Sequence, residues 1–241
     1  MRLPVLARQA VAEFLGSAGL VTVVIGSGIA AQRLSADAGL QLLENALITG
    51  AGLVALILAF GPVSGGHFNP VVTVADRIFG GVSARQVAVY LPAQVAGGVV
   101  GAVTANLMFD LPAVSISTHE RSAGGLWLSE ALATFGLVLL IFGLVRAGRG
   151  ALAPFAVGAY ITAAYWWSSS TSFANPMIDL ARTLSDTFAG IAPGSVPIFL
   201  LMQALGGALG IAAVAVLYPQ IAERADTAVV PHENTSIEEP R

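Results

Sequence analysis

Two Asn-Pro pairs constrain this chain more than any other feature. Asn69-Pro70 closes the run Ser64-Gly65-Gly66-His67-Phe68-Asn69-Pro70, and Asn175-Pro176 closes Thr171-Ser172-Phe173-Ala174-Asn175-Pro176. Each pair stands at the end of a hydrophobic run and opens a short, partly apolar stretch. Asn followed by Pro reads as a helix N-cap with Pro at the first helical position. A short helix is therefore expected to start at each pair. The stretch from Asn69 to about Phe79 is shorter than the ~20 residues that cross a bilayer, so it returns to the side it came from. Irregular backbone at that depth is tolerated only where it is buried in protein or lines a wet cavity. Two such half-helices, one in each half of the chain, are expected to bring their positive dipole ends and amide donors to one spot near mid-bilayer.

Composition puts the chain in a membrane. Of 241 residues, 56% are hydrophobic and 10% are charged, against about 25% charged in soluble domains. Six apolar runs are long enough to span, at about 9–31, 44–60, 85–107, 126–145, 151–168 and 196–218. Half-helices are expected at about 69–79 and 175–187. The chain has no Cys, and His67, His119 and His232 lie too far apart for a metal motif. No nucleophile–base pair, nucleotide motif, cofactor site or nucleic-acid-binding pattern is present, so an enzyme is not expected. A secondary transporter also uses inverted repeats and broken helices, but no proton-relay chain crosses the spans.

The halves repeat. Ala12-Glu13-Phe14-Leu15-Gly16 is echoed by Ser129-Glu130-Ala131-Leu132-Ala133, and Gln94 to Gly101 by Gln203 to Gly210. Repeat one covers about 8–107 and repeat two about 126–218, within a channel domain of residues 1–218. Three spans per half is an odd number, so the halves must be inverted, with the functional site at their interface. Residues 219–241 read as a disordered, cytoplasmic tail. Arg2, Arg8, Arg77, Arg85, Arg146 and Arg149 fall on the side of the termini, and Arg33, Arg121 and Arg182 on the other. The positive-inside rule then puts both termini in the cytoplasm of a multi-pass plasma-membrane protein.

These motifs resemble the aquaporin, or major intrinsic protein, family over roughly residues 8–218. The resemblance implies an all-α fold of six transmembrane helices with two re-entrant half-helices, a pore in each subunit, and a homotetramer among membrane lipids. It implies that Asn69 and Asn175 offer their amides to water or a small neutral solute. Glu13 and Glu130 are carboxylates within apolar spans, where each needs a partner. They are expected to brace the loop backbone before each half-helix. His67 is expected in the loop, as a brace or in the pore lining. The G-x-x-x-G pairs Gly97/Gly101 and Gly206/Gly210 are expected to let helices approach closely.

The departures from the family pattern carry the finer reading. Val71 and Met177 stand where members usually have Ala, after Pro70 and Pro176. Ile178 stands where members usually carry the outer-filter Arg. The other filter positions fall on Thr49 or Ala51, on Ala163 or Tyr165, and on Ser172, according to gap placement. Arg182 follows Ile178 by four residues, on the same half-helix face. It is expected in the vestibule or, alternatively, on the outer surface paired with Asp179 or Asp186. A filter without its Arg should pass glycerol-like polyols, urea and uncharged metalloid hydroxides such as arsenous acid, as well as water. The run from Asn175 to Ile191 resembles a bacterial subgroup associated with arsenic-resistance gene sets. The alternatives are a water-selective pore, or a non-conducting scaffold should Phe68, Phe173, Met177 or Tyr165 close the path.

Overall fold

The structure is a computed structural model that describes residues 3–219. The tail expected to be disordered lies, apart from its first residue, outside the described residues. Within the described residues eight α-helices follow one another: α1 (Val5–Leu34), α2 (Ala38–Ser64), α3 (Pro70–Phe79), α4 (Ala84–Met108), α5 (Gly124–Arg146), α6 (Ala153–Trp167), α7 (Pro176–Arg182) and α8 (Val196–Leu217). Among the described residues there is no strand. Among the described residues, five helices are long and apolar enough to cross a membrane: α1, α2, α4, α5, and α8 with the turn before it. The fifth expected span, α6, has 15 residues and is preceded by a 3-10 turn at Gly150–Leu152. Together these reach about 28 Å, close to the ~30 Å of a hydrocarbon core.

Local chemistry sets the helix ends. Asp37 caps α2 by accepting the Leu40 N–H. Ser83 and Gln86 close a reciprocal capping box on α4, which satisfies orphan donors at that end. Asn69 and Asn175 cap α3 and α7 through their side-chain oxygens, with Pro next. Gly80 ends α3 at φ 92°, a left-handed turn that costs glycine nothing.

The long helices pair through glycine. A Cβ on Gly97 would lie 2.2 Å from the Phe14 carbonyl oxygen, and one on Gly101 would lie 2.4 Å from that of Ala18, so α4 rests directly on the α1 backbone. Gly206 would meet the Ala131 carbonyl at 2.1 Å, and Gly210 the Val138 Cβ at 2.9 Å, where α8 rests on α5. In α2 and α6, Gly50 and Gly158 face each other, a Gly158 Cβ falling 2.7 Å from the Gly50 carbonyl oxygen. Because the obstacle at Gly206 is backbone, no rotamer change relieves it. Gly206→Val is therefore expected to cost more than the ~1–3 kcal/mol of ordinary overpacking, read as loss of the monodisperse peak on size exclusion in detergent.

The second half-helix is shorter than expected, ending at Arg182 rather than near residue 187. The connector between the halves claims the backbone beyond it. Ser117 N–H donates to the Thr183 carbonyl at 2.9 Å and Ser115 N–H to that of Leu184 at 3.0 Å. Ser185 donates to Asn106 Oδ1 at 2.7 Å, and Asn106 Nδ2 donates to the Leu184 carbonyl at 3.0 Å. Asp186 accepts from the Thr118 N–H and hydroxyl at 2.8 and 3.1 Å. The backbone bond leads in holding its carboxyl below the ordinary carboxylate range. Such a clip is kept at neutral pH and lost only as pH falls through the lowered range.

Candidate pore and outer filter

The loops before α3 and α7 follow one left-handed pattern. In the first, Gly65, Gly66 and Phe68 have φ of 91°, 65° and 47°; in the second, Thr171, Ser172 and Ala174 have 64°, 51° and 46°. Side-chain-bearing residues in this region cost about 1–3 kcal/mol each. The second loop therefore carries more strain, since Thr and Ser stand where the first has Gly. Buried glutamates meet both loops. Glu13 accepts from the Ser64 hydroxyl at 2.7 Å, the His67 and Phe68 N–H groups at 3.0 and 2.8 Å, and Gln94 Nε2 at 2.7 Å. Glu130 accepts from the Ser170 hydroxyl at 2.6 Å, the Phe173 and Ala174 N–H groups at 2.9 and 2.8 Å, and Gln203 Nε2 at 2.6 Å.

The loops then lock to each other. Asn69 Nδ2 donates to the Ala174 carbonyl and Asn175 Nδ2 to the Phe68 carbonyl, both at 2.8 Å. Their Oδ1 atoms accept from Val71 N–H at 2.9 Å and Met177 N–H at 3.1 Å. Each amide thus spends its oxygen on the cap and one N–H on the opposite loop. An NH₂ group has two donors, so one N–H per Asn remains.

Both Asn residues border a narrow internal cavity. The cavity volume is about 60 Å³, more than a single water needs. His67 lines it, with Nδ1 3.1 Å from Thr73 Oγ1 and Nε2 3.4 Å from Asp76 Oδ2. Thr49, Tyr165, Ser172, Ile178 and Arg182 also border it. Thr49 Oγ1 and Tyr165 OH are 3.3 Å apart, and Ser172 Oγ is buried with no protein partner. One residue from each pair, Thr49 and Tyr165, borders the cavity. Ala51 and Ala163 are exposed and do not border this cavity, because a two-residue step on a helix turns a side chain by about 200°.

Neither box residue that replaces Ala borders the cavity. Val71 points at Gly207, whose Cβ would lie 2.6 Å from Val71 Cγ1; Met177 points at Gly98, whose Cβ would lie 2.6 Å from Met177 Sδ. The Phe68 ring fills the notch left by Gly16, 1.9 Å from the place of a Cβ there. Among the residues that could close the path, Phe68 and Met177 are thus packed into the bundle, while Phe173 and Tyr165 stand at the cavity wall.

The family profile described as "Major intrinsic protein" matches residues 1–188. The chain belongs to that family. It is 48% identical over 207 residues to a protein named Aquaglyceroporin AqpS of Rhizobium meliloti, a match covering 86% of this chain and 88% of that one. It is 31% identical to the glycerol uptake facilitator protein of Pseudomonas aeruginosa, covering 95% of this chain and 94% of that one. The solved structure of the aquaglyceroporin from Plasmodium falciparum superposes with a TM-score of 0.71 at 19% identity, over 90% of this chain and 98% of that one. This major intrinsic protein is therefore a multi-pass membrane protein of a channel family, not an enzyme, with the aquaporin fold of inverted halves.

Sequence reasoning passed over Asp76 and took Asp179 only as a surface partner for Arg182. Asp76 is fully buried beside His67, and Asp179 accepts from Gln203 Nε2 at 3.2 Å. Both sit on half-helices; the signal was an acid within so short an apolar stretch. Arg121, counted only as an outer-side charge, reaches the loop before α7: its Nη1 donates to the Ser170 carbonyl at 3.5 Å, and its Nε to the Gly190 carbonyl beyond α7 at 3.1 Å. A connector without helical periodicity gave no sign of that. Among the described residues Arg182 pairs with neither Asp179 nor Asp186; it is buried, with Nε donating to the Ala189 carbonyl.

Proposed function

We propose that this major intrinsic protein is a passive channel for water and small neutral solutes, of the size and polarity of glycerol and urea, with uncharged metalloid hydroxides such as arsenous acid within its range. One observation carries the reading. The cavity between the two Asn-capped loops has Ile178 where the family's outer-filter Arg usually stands. Asn69 and Asn175 are the central donors, aimed by Pro70 and Pro176, and the facing half-helix ends oppose cations. Thr49, Tyr165, Ser172 and Ile178 form the outer constriction. Val71 and Met177 act in packing, Glu13 and Glu130 brace the loops, and His67 borders the path on the side of α3. The names of the relatives, an aquaglyceroporin and a glycerol uptake facilitator, agree with this.

The assembly we infer is a homotetramer in the plasma membrane, with cytoplasmic termini and residues 219–241 as a cytoplasmic tail beyond the channel domain. Exposed apolar side chains support it: Leu47 and Ile48 on α2 and Phe155 and Trp166 on α6 need a partner subunit or lipid. An apolar groove between α3 and α8, bordered by Val74, Ile78 and Ile211, suits a lipid chain. A water-only reading draws on Phe173 and Tyr165 at the wall. Stopped-flow light scattering on proteoliposomes separates the two. Reswelling in a glycerol gradient at least about tenfold faster than in empty liposomes, a barrier drop of roughly 1.4 kcal/mol, is the expected result. Fast shrinkage in an impermeant osmolyte without glycerol entry would assign water alone. Rates equal to empty liposomes for both would leave a non-conducting scaffold.

A further inference from the structure

We propose that the outer filter of this channel has kept its cation but moved it one helical turn outward, onto Arg182, where the Phe173 ring holds it. The proposal rests on the channel reading above and names the residue that sets its charge selectivity. Arg182 lies four residues after Ile178 on α7, so it shares that face about 6 Å further along. Both residues border the cavity. The guanidinium carbon lies 3.6 Å from the centroid of the Phe173 ring, a cation–π distance. That of Arg121 lies 5.0 Å from the same centroid. Arg121 is itself fixed, its Nε on the Gly190 carbonyl and its backbone N–H on Ser195 Oγ at 2.9 Å.

What Arg182 leaves unspent is the informative part. Its Nε is bound to the Ala189 carbonyl. Its terminal nitrogens make no bond to the described protein, yet they are not among the sealed polar atoms without a partner. They therefore open on the cavity, with four N–H donors between them. The carboxylates close by are committed elsewhere. Glu130 takes four bonds from the loop and Gln203, and Asp179 takes one from Gln203. Neither carboxylate borders the cavity, whereas Arg182 does, so the side-chain charge that faces the path here is positive. It repels permeating cations and offers donors to solutes rich in oxygen acceptors, while Ile178 keeps the inner position apolar.

Arg182→Gln keeps an amide donor for the Ala189 carbonyl and removes the charge; Arg182→Lys keeps the charge and loses the planar fork. Both are reconstituted with the wild type and scored for glycerol flux and for potassium and proton leak under an imposed gradient. The expected result is that Gln raises cation leak about tenfold, the size of a 1.4 kcal/mol barrier loss, while Lys stays within about threefold of wild type. Gln at the wild-type leak, or Lys as leaky as Gln, overturns the assignment. Should Arg182→Gln fail to give monodisperse protein, Phe173→Leu, which removes the platform and keeps the Arg, is expected to raise the leak, and no change there overturns it equally. Wild-type glycerol flux in the same vesicles reads the channel function separately. If it is absent, the channel reading falls and this assignment with it; if it is present with an unchanged Gln leak, only the assignment falls.

Discussion

Glu130→Ala is expected to be the most damaging single substitution in the pore half formed by α5 to α8, and more damaging than Glu13→Ala. Each carboxylate accepts four hydrogen bonds from buried donors. Bonds to charged groups contribute about 1.5–3 kcal/mol each and are not additive, and every orphaned buried donor adds its own desolvation cost. A loss on the order of 5 kcal/mol is expected for either, which is most of the stability of a typical domain. The asymmetry comes from the loops. Glu13 holds a loop whose left-handed turns begin at Gly65 and Gly66, where glycine bears no strain; Glu130 holds Thr171 and Ser172 in the same geometry. Without its carboxylate the second loop must hold a strained conformation on the Asn69 bond to the Ala174 carbonyl and a few weaker bonds. Thermal midpoints in detergent should fall for both, further for Glu130→Ala. Equal midpoints would mean that the strain at Thr171 and Ser172 is relieved by something other than Glu130.

Asn175→Asp is expected to cut glycerol flux at neutral pH by at least about tenfold, or roughly 1.4 kcal/mol in the barrier. The change is isosteric, so packing is not at issue. Asn175 Nδ2 donates to the Phe68 carbonyl at 2.8 Å; a carboxylate there sets oxygen against oxygen. It also removes the second N–H, which no loop partner uses, and places a negative charge beside the cavity. The cap to Met177 N–H survives, since that bond uses Oδ1. Flux should recover in part as the pH falls and the carboxyl regains a proton to donate. Flux that stays at the wild-type level at neutral pH would show that the Asn amide is not a donor to the permeant.

Much of this architecture was legible because its signals are local. Asn before Pro sets a cap, a carboxylate in an apolar span demands donors, and G-x-x-x-G marks where backbones touch. Each of these needs only a few neighbouring residues. The α3 boundaries followed from Asn69 and Gly80 for that reason. What was not legible depends on segments meeting across the fold. The early end of α7 is decided by Ser115 and Ser117 some seventy residues upstream, and no local rule announces them. That Thr49 rather than Ala51, and Tyr165 rather than Ala163, borders the cavity is a matter of helix phase, which a loop gap hides. The pairings of Val71 with Gly207 and of Met177 with Gly98 explain how larger residues occupy the boxes without narrowing the pore. Those glycines look ordinary until the helices are assembled.

The central claim is that the position held by Ile178, not the central Asn pair, makes this pore permissive to solutes larger than water. The direct measurement is glycerol and water flux in proteoliposomes for the wild type and for Ile178→Arg at matched protein density. The account predicts that Arg at 178, added to the Arg182 already beside the path, lowers glycerol flux by at least about tenfold and water flux by no more than about threefold. Glycerol flux unchanged by Ile178→Arg would contradict it, because the solute would then be passing a constriction that this residue does not form.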